Sequence, residues 1–416
     1  MKILFINISD KAGGSAKAAY RLGQALEKYH HAKNLFLVRT KISTDKNVIQ
    51  TRSNKITGTI ERGTNILLNF AGMQYQWLPF SPKTILRKAS EFKPDIISLH
   101  NTIGGYFVTK DLIKLSQIAP IVWTLHDMWA FTGNAAHTFG DESWKEMKTG
   151  HGENKIFPWI GINTGRWLLK QKKDIYNHSD ITIVTPSKWL YKLAAQSPVF
   201  EGKKIHQIYH GIDLRKFKRL PKDKVRNELG IPLKAKVLMF GADKLEKNYW
   251  KGGKELFDIL GFINSRANEK LFLLALGRGH PKELEQFNNF TTIFPGFIES
   301  EELLIKYYSA ADLFLYPTRA DNLPFGLIEP IACGLPCITF KIGGCPEIIK
   351  NNKNGFIIPP FNCEIFARKV LQTLNDKPGL RELSRNARKY AEEIFSHSAF
   401  GKNYCDFFTK ILKKIY

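Results

Sequence analysis

The strongest constraint on this chain is an alternation of short apolar runs with longer segments of helical spacing, repeated from one half to the other. In the first half, runs at 2–7, 35–38, 95–99, 121–125 and 181–185 have strand length and enclose helical patterns at 16–28, 110–117 and 189–195. The second half repeats the rhythm with runs at 236–240, 271–276, 312–316, 337–340 and 356–358. Such alternation predicts an α/β fold with parallel, doubly wound sheets, because a parallel strand pair needs a crossover to return the chain. At 416 residues the chain exceeds one ordinary core, and 43% hydrophobic residues supply apolar surface for two. Boundaries are predicted at 1–209, 210–395 and a terminal segment 396–416 with apolar and basic residues at helical spacing. The link between the domains is placed from His210 to Pro221, ahead of a charge-rich stretch.

No apolar stretch reaches the roughly 18 residues that span a bilayer. The opening Met1-Lys2-Ile3-Leu4-Phe5-Ile6-Asn7 is too short for a secretory signal and reads as a first strand, so a cytoplasmic protein is expected. Five cysteines, four of them between Cys333 and Cys363, show no paired metal spacing and are read as packing residues. The net charge of +24 points to an anionic partner. Its basic residues are spread over both halves without a nucleic-acid module, so an anionic membrane surface or anionic substrates are expected and nucleic acid is not. A composition rich in Lys, Ile and Asn accounts for part of the excess.

The most informative local stretch is Asp321-Asn322-Leu323-Pro324-Phe325-Gly326-Leu327-Ile328-Glu329. It joins the apolar run 312–316 to a helical pattern at 326–333, with Pro324 and Gly326 making the turn. A helix beginning there offers backbone N–H groups and a positive dipole end to a diphosphate at the strand's carboxyl end. Glu329, one turn inside, suits a ribose diol, and Asp321 on the loop suits a sugar hydroxyl. The same residues also suit a plain strand, turn and helix in which Asp321 caps the turn and Glu329 favours the helix N-terminus.

Two acids separated by seven residues, followed by Ala332-Cys333-Gly334-Leu335-Pro336, Gly343-Gly344 and Glu347, resemble the donor-site signature of family 4 glycosyltransferases. That signature is usually Glu-x7-Glu, and Asp321 shortens the first acid by one methylene. The resemblance implies two Rossmann-like domains facing across a cleft, the GT-B fold, with the terminal helix crossing back onto the first domain. It also implies a retaining, metal-independent transferase. Its co-substrate is a UDP- or GDP-linked sugar, with no further cofactor, and its acceptor a saccharide or lipid-linked hydroxyl in bacterial surface polysaccharide or lipopolysaccharide synthesis.

Other motifs extend the resemblance. Gly13 and Gly14 follow the first strand and open a helix; paired glycines let backbone approach a ligand closely, although an ordinary tight turn also explains them. The family places such a loop beside the donor diphosphate and the acceptor. The stretch 123–133, Trp-Thr-Leu-His-Asp-Met-Trp-Ala-Phe-Thr-Gly, resembles a subgroup that makes surface polysaccharides and puts His126 at a strand end, where it can bond the donor sugar or stabilise charge. His100 and Asn101 end another run and are assigned to the acceptor side. The subgroup's Cys-rich segment is replaced by Asn134-Ala135-Ala136-His137, Asp141, His151 and Glu153, so no metal is expected there and a mobile, acceptor-selecting loop is. At 159–176, aromatic and basic residues interleave in a pattern that fits either a helix lying on an anionic bilayer or one packed with a solvated basic face.

In the second half, Lys251-Gly252 matches a phosphate-binding Lys-Gly pair of the family, while the Arg usually found earlier is absent and Lys244 is its candidate replacement. Gly277-Arg278-Gly279 is either near the nucleotide or a turn. Lys251 and the helix start near Gly326 would stabilise the leaving phosphate, and His126, Lys251 and Asp321 are the expected catalytic residues. No nucleophilic carboxylate is offered, so front-face attack is expected. Two alternatives share the fold: a nucleotide-sugar epimerase, and a non-enzymatic basic membrane or nucleic-acid binder.

Overall fold

The computed structural model describes residues 1–52, 54–241, 249–279 and 282–413. Its residues fall into two compact units, Met1–Gly211 with His397–Tyr416, and Ile212–Ser396. Each is built on a parallel sheet with helices in the crossovers, the doubly wound α/β architecture that the alternating pattern predicts.

The first unit holds seven strands: β1 Lys2–Ser9, β2 Lys33–Thr40, β3 Val48–Gln50, β4 Ile96–Leu99, β5 Ile121–Thr124, β6 Ile181–Thr185 and β7 Ile205–Gln207. They lie in the order β3-β2-β1-β4-β5-β6-β7, so the winding reverses between β1 and β4, where Ile3 pairs with Ile96 and Ile6 with Leu99. The central strands are covered on both faces, which is why they read as continuous apolar runs rather than alternating ones. The helix Gly14–His30 packs against the terminal helix His397–Leu412. Leu22 and Leu26 meet Phe400, Tyr404 and Phe408 in one apolar cluster, and Tyr404 reaches Thr124 Oγ1 through its hydroxyl at 2.9 Å.

The second unit holds β8 Val237–Gly241, β9 Leu271–Leu276, β10 Phe290–Gly296, β11 Leu313–Tyr316, β12 Cys337–Phe340 and β13 Gly355–Ile358. Their order, β10-β9-β8-β11-β12-β13, reverses between β8 and β11, where Leu238 pairs with Leu313. In open sheets of this kind ligands bind beyond the carboxyl ends of the strands flanking the reversal, because the loops there diverge to opposite faces.

The strands β3, β7 and β10 were not among the expected runs. β3 and β7 have only three residues each, and β10 carries two threonines and a proline. Two expectations for the first unit are corrected. The segment after Thr132 is a packed insertion rather than a mobile loop: Asn134 Nδ2 donates to the carbonyls of Glu153, Ile156 and Pro158, and Trp144 is fully buried. The basic helix begins only at Gly165, leaving Trp159 outside it, and Lys172 points inward. The ammonium of Lys172 donates to the carbonyls of Trp129, Thr132 and Gly133 and lies 3.8 Å from the Trp129 ring centroid; burial draws its pKa down to about 7. Among the described residues no helix is long and apolar enough to cross a membrane.

Candidate functional site

In the second unit the reversal point gathers three functional groups. The helix Gly253–Arg266 follows the 3-10 turn Tyr249–Lys251, with Gly252 at its N-cap in the left-handed region at φ 68°. Only glycine fits: a Cβ there would lie 1.8 Å from the Pro317 carbonyl oxygen. The two loops are tied, since the Trp250 carbonyl accepts from Thr318 Oγ1 at 2.9 Å and from the Arg319 N–H at 2.9 Å. Lys251 is thereby set at the carboxyl end of β11.

Its ammonium donates to Asp321 Oδ2 at 2.7 Å and lies 3.3 Å from the Tyr316 hydroxyl, which itself donates to the same carboxylate oxygen at 2.6 Å. Burial, with the Asp321 charge beside it, pushes the Tyr316 phenol well above its ordinary range, so it stays a donor. Gly326 lets the next helix, Phe325–Ala332, close on this ring, because a Cβ there would stand 3.0 Å from Tyr316 Cε2. Gly343, at φ 52°, allows the β12 loop to approach the backbone of Asp321, whose carbonyl would lie 1.8 Å from a Cβ. A cation, a carboxylate and a phenol are thus fixed beside the starts of two helices.

Pro324 is the N-cap residue of Phe325–Ala332; Asn322, Leu323 and Phe325 are buried around the turn. Glu329 is 3% exposed, and the Tyr308 hydroxyl lies 3.4 Å from its Oε2. Arg278 stacks over the Phe297 ring at 4.6 Å. Lys244 lies outside the described residues. Tyr316 and the Arg319–Glu255 pair, 2.6 Å from Nη2 to Oε1, were missed. Tyr316 ends β11 five residues before Asp321, and that spacing alone does not mark its hydroxyl as the partner of the carboxylate.

In the first unit, Gly13 is the N-cap of Gly14–His30 with φ 90°, and a Cβ at Gly13 or Gly14 would meet nothing within 4 Å. The space above this helix start is open. Beside it Asn7, on β1, accepts the Asn101 N–H through Oδ1 at 3.2 Å, and Asn101 in turn accepts from Ile103 N–H at 2.8 Å. His100 and His126 meet at 3.0 Å, Nδ1 to Nε2, and Ser98 Oγ lies 3.2 Å from the other nitrogen of His100. His210, absent from the expected site, stacks on His126 with ring centroids 5.5 Å apart. Burial holds all three imidazoles down, His126 to about 3, so the stack is neutral at physiological pH. Asp127 is pushed up to about 6, also by burial. Among the described residues no group of three or more His, Cys, Asp or Glu side chains is placed to hold a metal.

Comparison with known proteins agrees with this architecture. Residues 12–216 match the family described as Glycosyltransferase Family 4, and residues 221–393 the one described as Glycosyl transferases group 1. The sulfoquinovosyl transferase SQD2 of Arabidopsis thaliana is 23% identical over 76% of this chain and 56% of its own length. The amylovoran biosynthesis glycosyltransferase AmsK of Erwinia amylovora is 24% identical over 62% of this chain and 64% of its own. The chain therefore spans somewhat over half the length of these relatives. Anabaena HepE, solved with UDP-glucose, superposes with a TM-score of 0.67 at 20% identity, over 99% of this chain and 100% of that one, and shows the GT-B fold. With both of its halves matched, the chain belongs to the group 1, family 4 glycosyltransferases.

Proposed function

We propose that this protein transfers a sugar, with retention at the anomeric carbon, from a UDP- or GDP-linked donor to a hydroxyl of a saccharide or lipid-linked acceptor in surface polysaccharide or lipopolysaccharide assembly. The observation that carries the reading is the Lys251–Asp321–Tyr316 cluster at the reversal between β8 and β11. A donor diphosphate fits beside Lys251 and the two helix starts, where a point charge and oriented N–H groups meet it. As the glycosidic bond breaks, its electron pair passes to the phosphate oxygen, and Lys251 and the helix dipoles stabilise that charge. The acceptor hydroxyl attacks from the same face and gives its proton to the departing phosphate. Asp321 holds a sugar hydroxyl, Glu329 the ribose diol, and neutral His126 serves the sugar-binding side of the first domain as a hydrogen-bonding group rather than as a charge. That AmsK is named for amylovoran biosynthesis and HepE was solved with UDP-glucose supports the substrate classes.

The test is thermal unfolding with UDP, GDP and ADP, repeated with Lys251→Ala and Glu329→Ala. At a concentration about 100 times Kd, a ligand bound only to the folded state stabilises it by about 2.7 kcal/mol, a shift of several degrees. One nucleotide should give that shift and both variants should lose it. A protein that answers to no nucleotide, or variants that answer as the wild type does, would refute the assignment.

A further inference from the structure

The first unit holds a cavity of about 320 Å³ that the donor reading does not use. It opens at the carboxyl edge of the sheet, where Arg39 is the last residue but one of β2 and Arg52 follows β3, and Arg62 reaches it from the helix Lys55–Phe70. The pocket is built rather than incidental. Arg39 Nη1 donates to the Gly104 carbonyl and Arg52 Nη2 to the Gly105 carbonyl, each at 2.7 Å. Both glycines have positive φ, and a Cβ on Gly105 would lie 2.5 Å from Asn65 Cγ.

Its charge is only partly compensated. Glu61 takes Arg52 Nε at 2.9 Å and is already held by the N–H groups of Phe80 and Ser81 and by the Ser81 hydroxyl. Among the described residues neither Arg39 nor Arg62 is ion-paired, and the buried Nε of Arg39 has no hydrogen-bond partner. An unpaired buried donor and two like charges brought together are costly in an empty pocket and favourable around an anion. The guanidinium geometry matches the oxygens of a phosphate.

The rim is of opposite character. Ile66, Phe157 and Trp159 line the same pocket and are 51%, 58% and 45% exposed. Ile66 stands on the helix Lys55–Phe70, and the loop that carries Phe157 and Trp159 is bonded to the end of that helix through Gly161 N–H to the Asn69 carbonyl and Ile162 N–H to the Phe70 carbonyl. Phe70 and Ile162, both more than half exposed, therefore extend one apolar margin beside the arginines. Cationic depth with an apolar, aromatic rim is the complement of a phosphate joined to a hydrocarbon chain at a membrane surface.

We propose that this pocket seats the phosphate or diphosphate joining a lipid-borne saccharide acceptor to its lipid, with the rim in contact with the hydrocarbon. The inference rests on the transferase reading for its use of the ligand as acceptor, and the pocket itself is tested separately. The full-length protein is sedimented with phosphatidylcholine vesicles, plain, doped with a polyprenyl diphosphate, or doped with phosphatidylglycerol at matched charge. The diphosphate-doped vesicles should bind at least tenfold more tightly than either other kind. Arg62→Gln, on the pocket's exposed side, and Arg39→Gln should each remove most of that gain, and Trp159→Ser should weaken it. Equal binding to the phosphatidylglycerol vesicles, or undiminished binding by both arginine variants, would overturn the proposal. Binding of soluble glucose 1-phosphate as tight as that of the lipid, with no effect of Trp159→Ser, would overturn the assignment to a lipid. Thermal unfolding with nucleotide, run on the same wild-type sample, separates the two readings. A protein that answers to nucleotide but not to the doped vesicles refutes the pocket alone; one that answers only to the vesicles refutes the transferase reading.

Discussion

Replacing Gly252 with alanine is the sharpest probe of how the fold builds the donor site. The residue stands at φ 68°, and its Cβ would lie 1.8 Å from the Pro317 carbonyl oxygen. The left-handed conformation alone costs alanine about 1–2 kcal/mol. The clash adds about 1–3 kcal/mol, in the range of overpacking, because Pro317 cannot retreat: Thr318 and Arg319 directly after it are bonded to the Trp250 carbonyl. A total loss of about 2–5 kcal/mol is expected, most of it in the second unit. With a slope of about 1–3 kcal/mol per molar urea, the unfolding midpoint of that unit should fall by about 0.7 M or more. Any relaxation that relieves the contact must separate the loop of Lys251 from the loop of Asp321. Nucleotide-induced stabilisation should therefore fall in the same variant, by at least tenfold in apparent affinity. Urea unfolding followed by circular dichroism, with and without the nucleotide, reads both. A midpoint shift below about 0.2 M together with unaltered nucleotide binding would refute the reasoning that close backbone approach builds the site.

Gly14→Ala should behave in the opposite way: its Cβ enters open space at a helix start, so stability holds or rises by about 0.5–1 kcal/mol while kcat/KM for sugar transfer drops at least tenfold. Steady-state kinetics beside a melting curve checks this, and unchanged kinetics would remove the glycine loop from the site. The three imidazoles supply a pH prediction. Their folded pKa values lie below the ordinary 6.5, so as pH falls from 6.5 the unfolded chain takes up protons that the folded chain refuses, and stability drops. Each contributes up to about 1.4 kcal/mol per pH unit, while Asp127, at about 6 when folded against an ordinary 3.8, offsets the slope of one of them between about pH 6 and 4. Urea midpoints at pH 7 and 5 should therefore diverge more in the wild type than in His210→Asn; equal divergence would discount the stack.

The expected strands and the two-domain division were readable because central parallel strands are buried on both faces and leave unbroken apolar runs, as at 121–125 and 337–340. Edge strands such as Val48–Gln50 leave no comparable trace, being short and half exposed. The Asp321 loop was legible as a local pattern of turn residues and acids. Its partner Tyr316 was visible only as the last residue of a strand, since nothing in the spacing says that its hydroxyl turns toward Asp321. The histidine stack joins residues 100, 126 and 210, and the arginine pocket joins 39, 52 and 62. Each set is assembled by sheet order, which the apolar runs do not encode. Lys172 misled for another reason: its neighbours Lys170 and Lys173 fit a solvated basic face, and only three carbonyls from a distant turn hold its own side chain inside.

The terminal helix His397–Leu412 belongs to the first unit although it follows the second along the chain. During synthesis, then, the first unit emerges with the surface of Leu22 and Leu26 still uncovered, while Ile212–Ser396 has all its own strands before that helix appears. At about 5–20 residues per second the exposed surface waits on the order of ten seconds or more for Phe400, Tyr404 and Phe408. The domain begun first is thus completed last, and shortening the chain at residue 396 would leave the second unit's sheet whole but strip the first of a wall of its core.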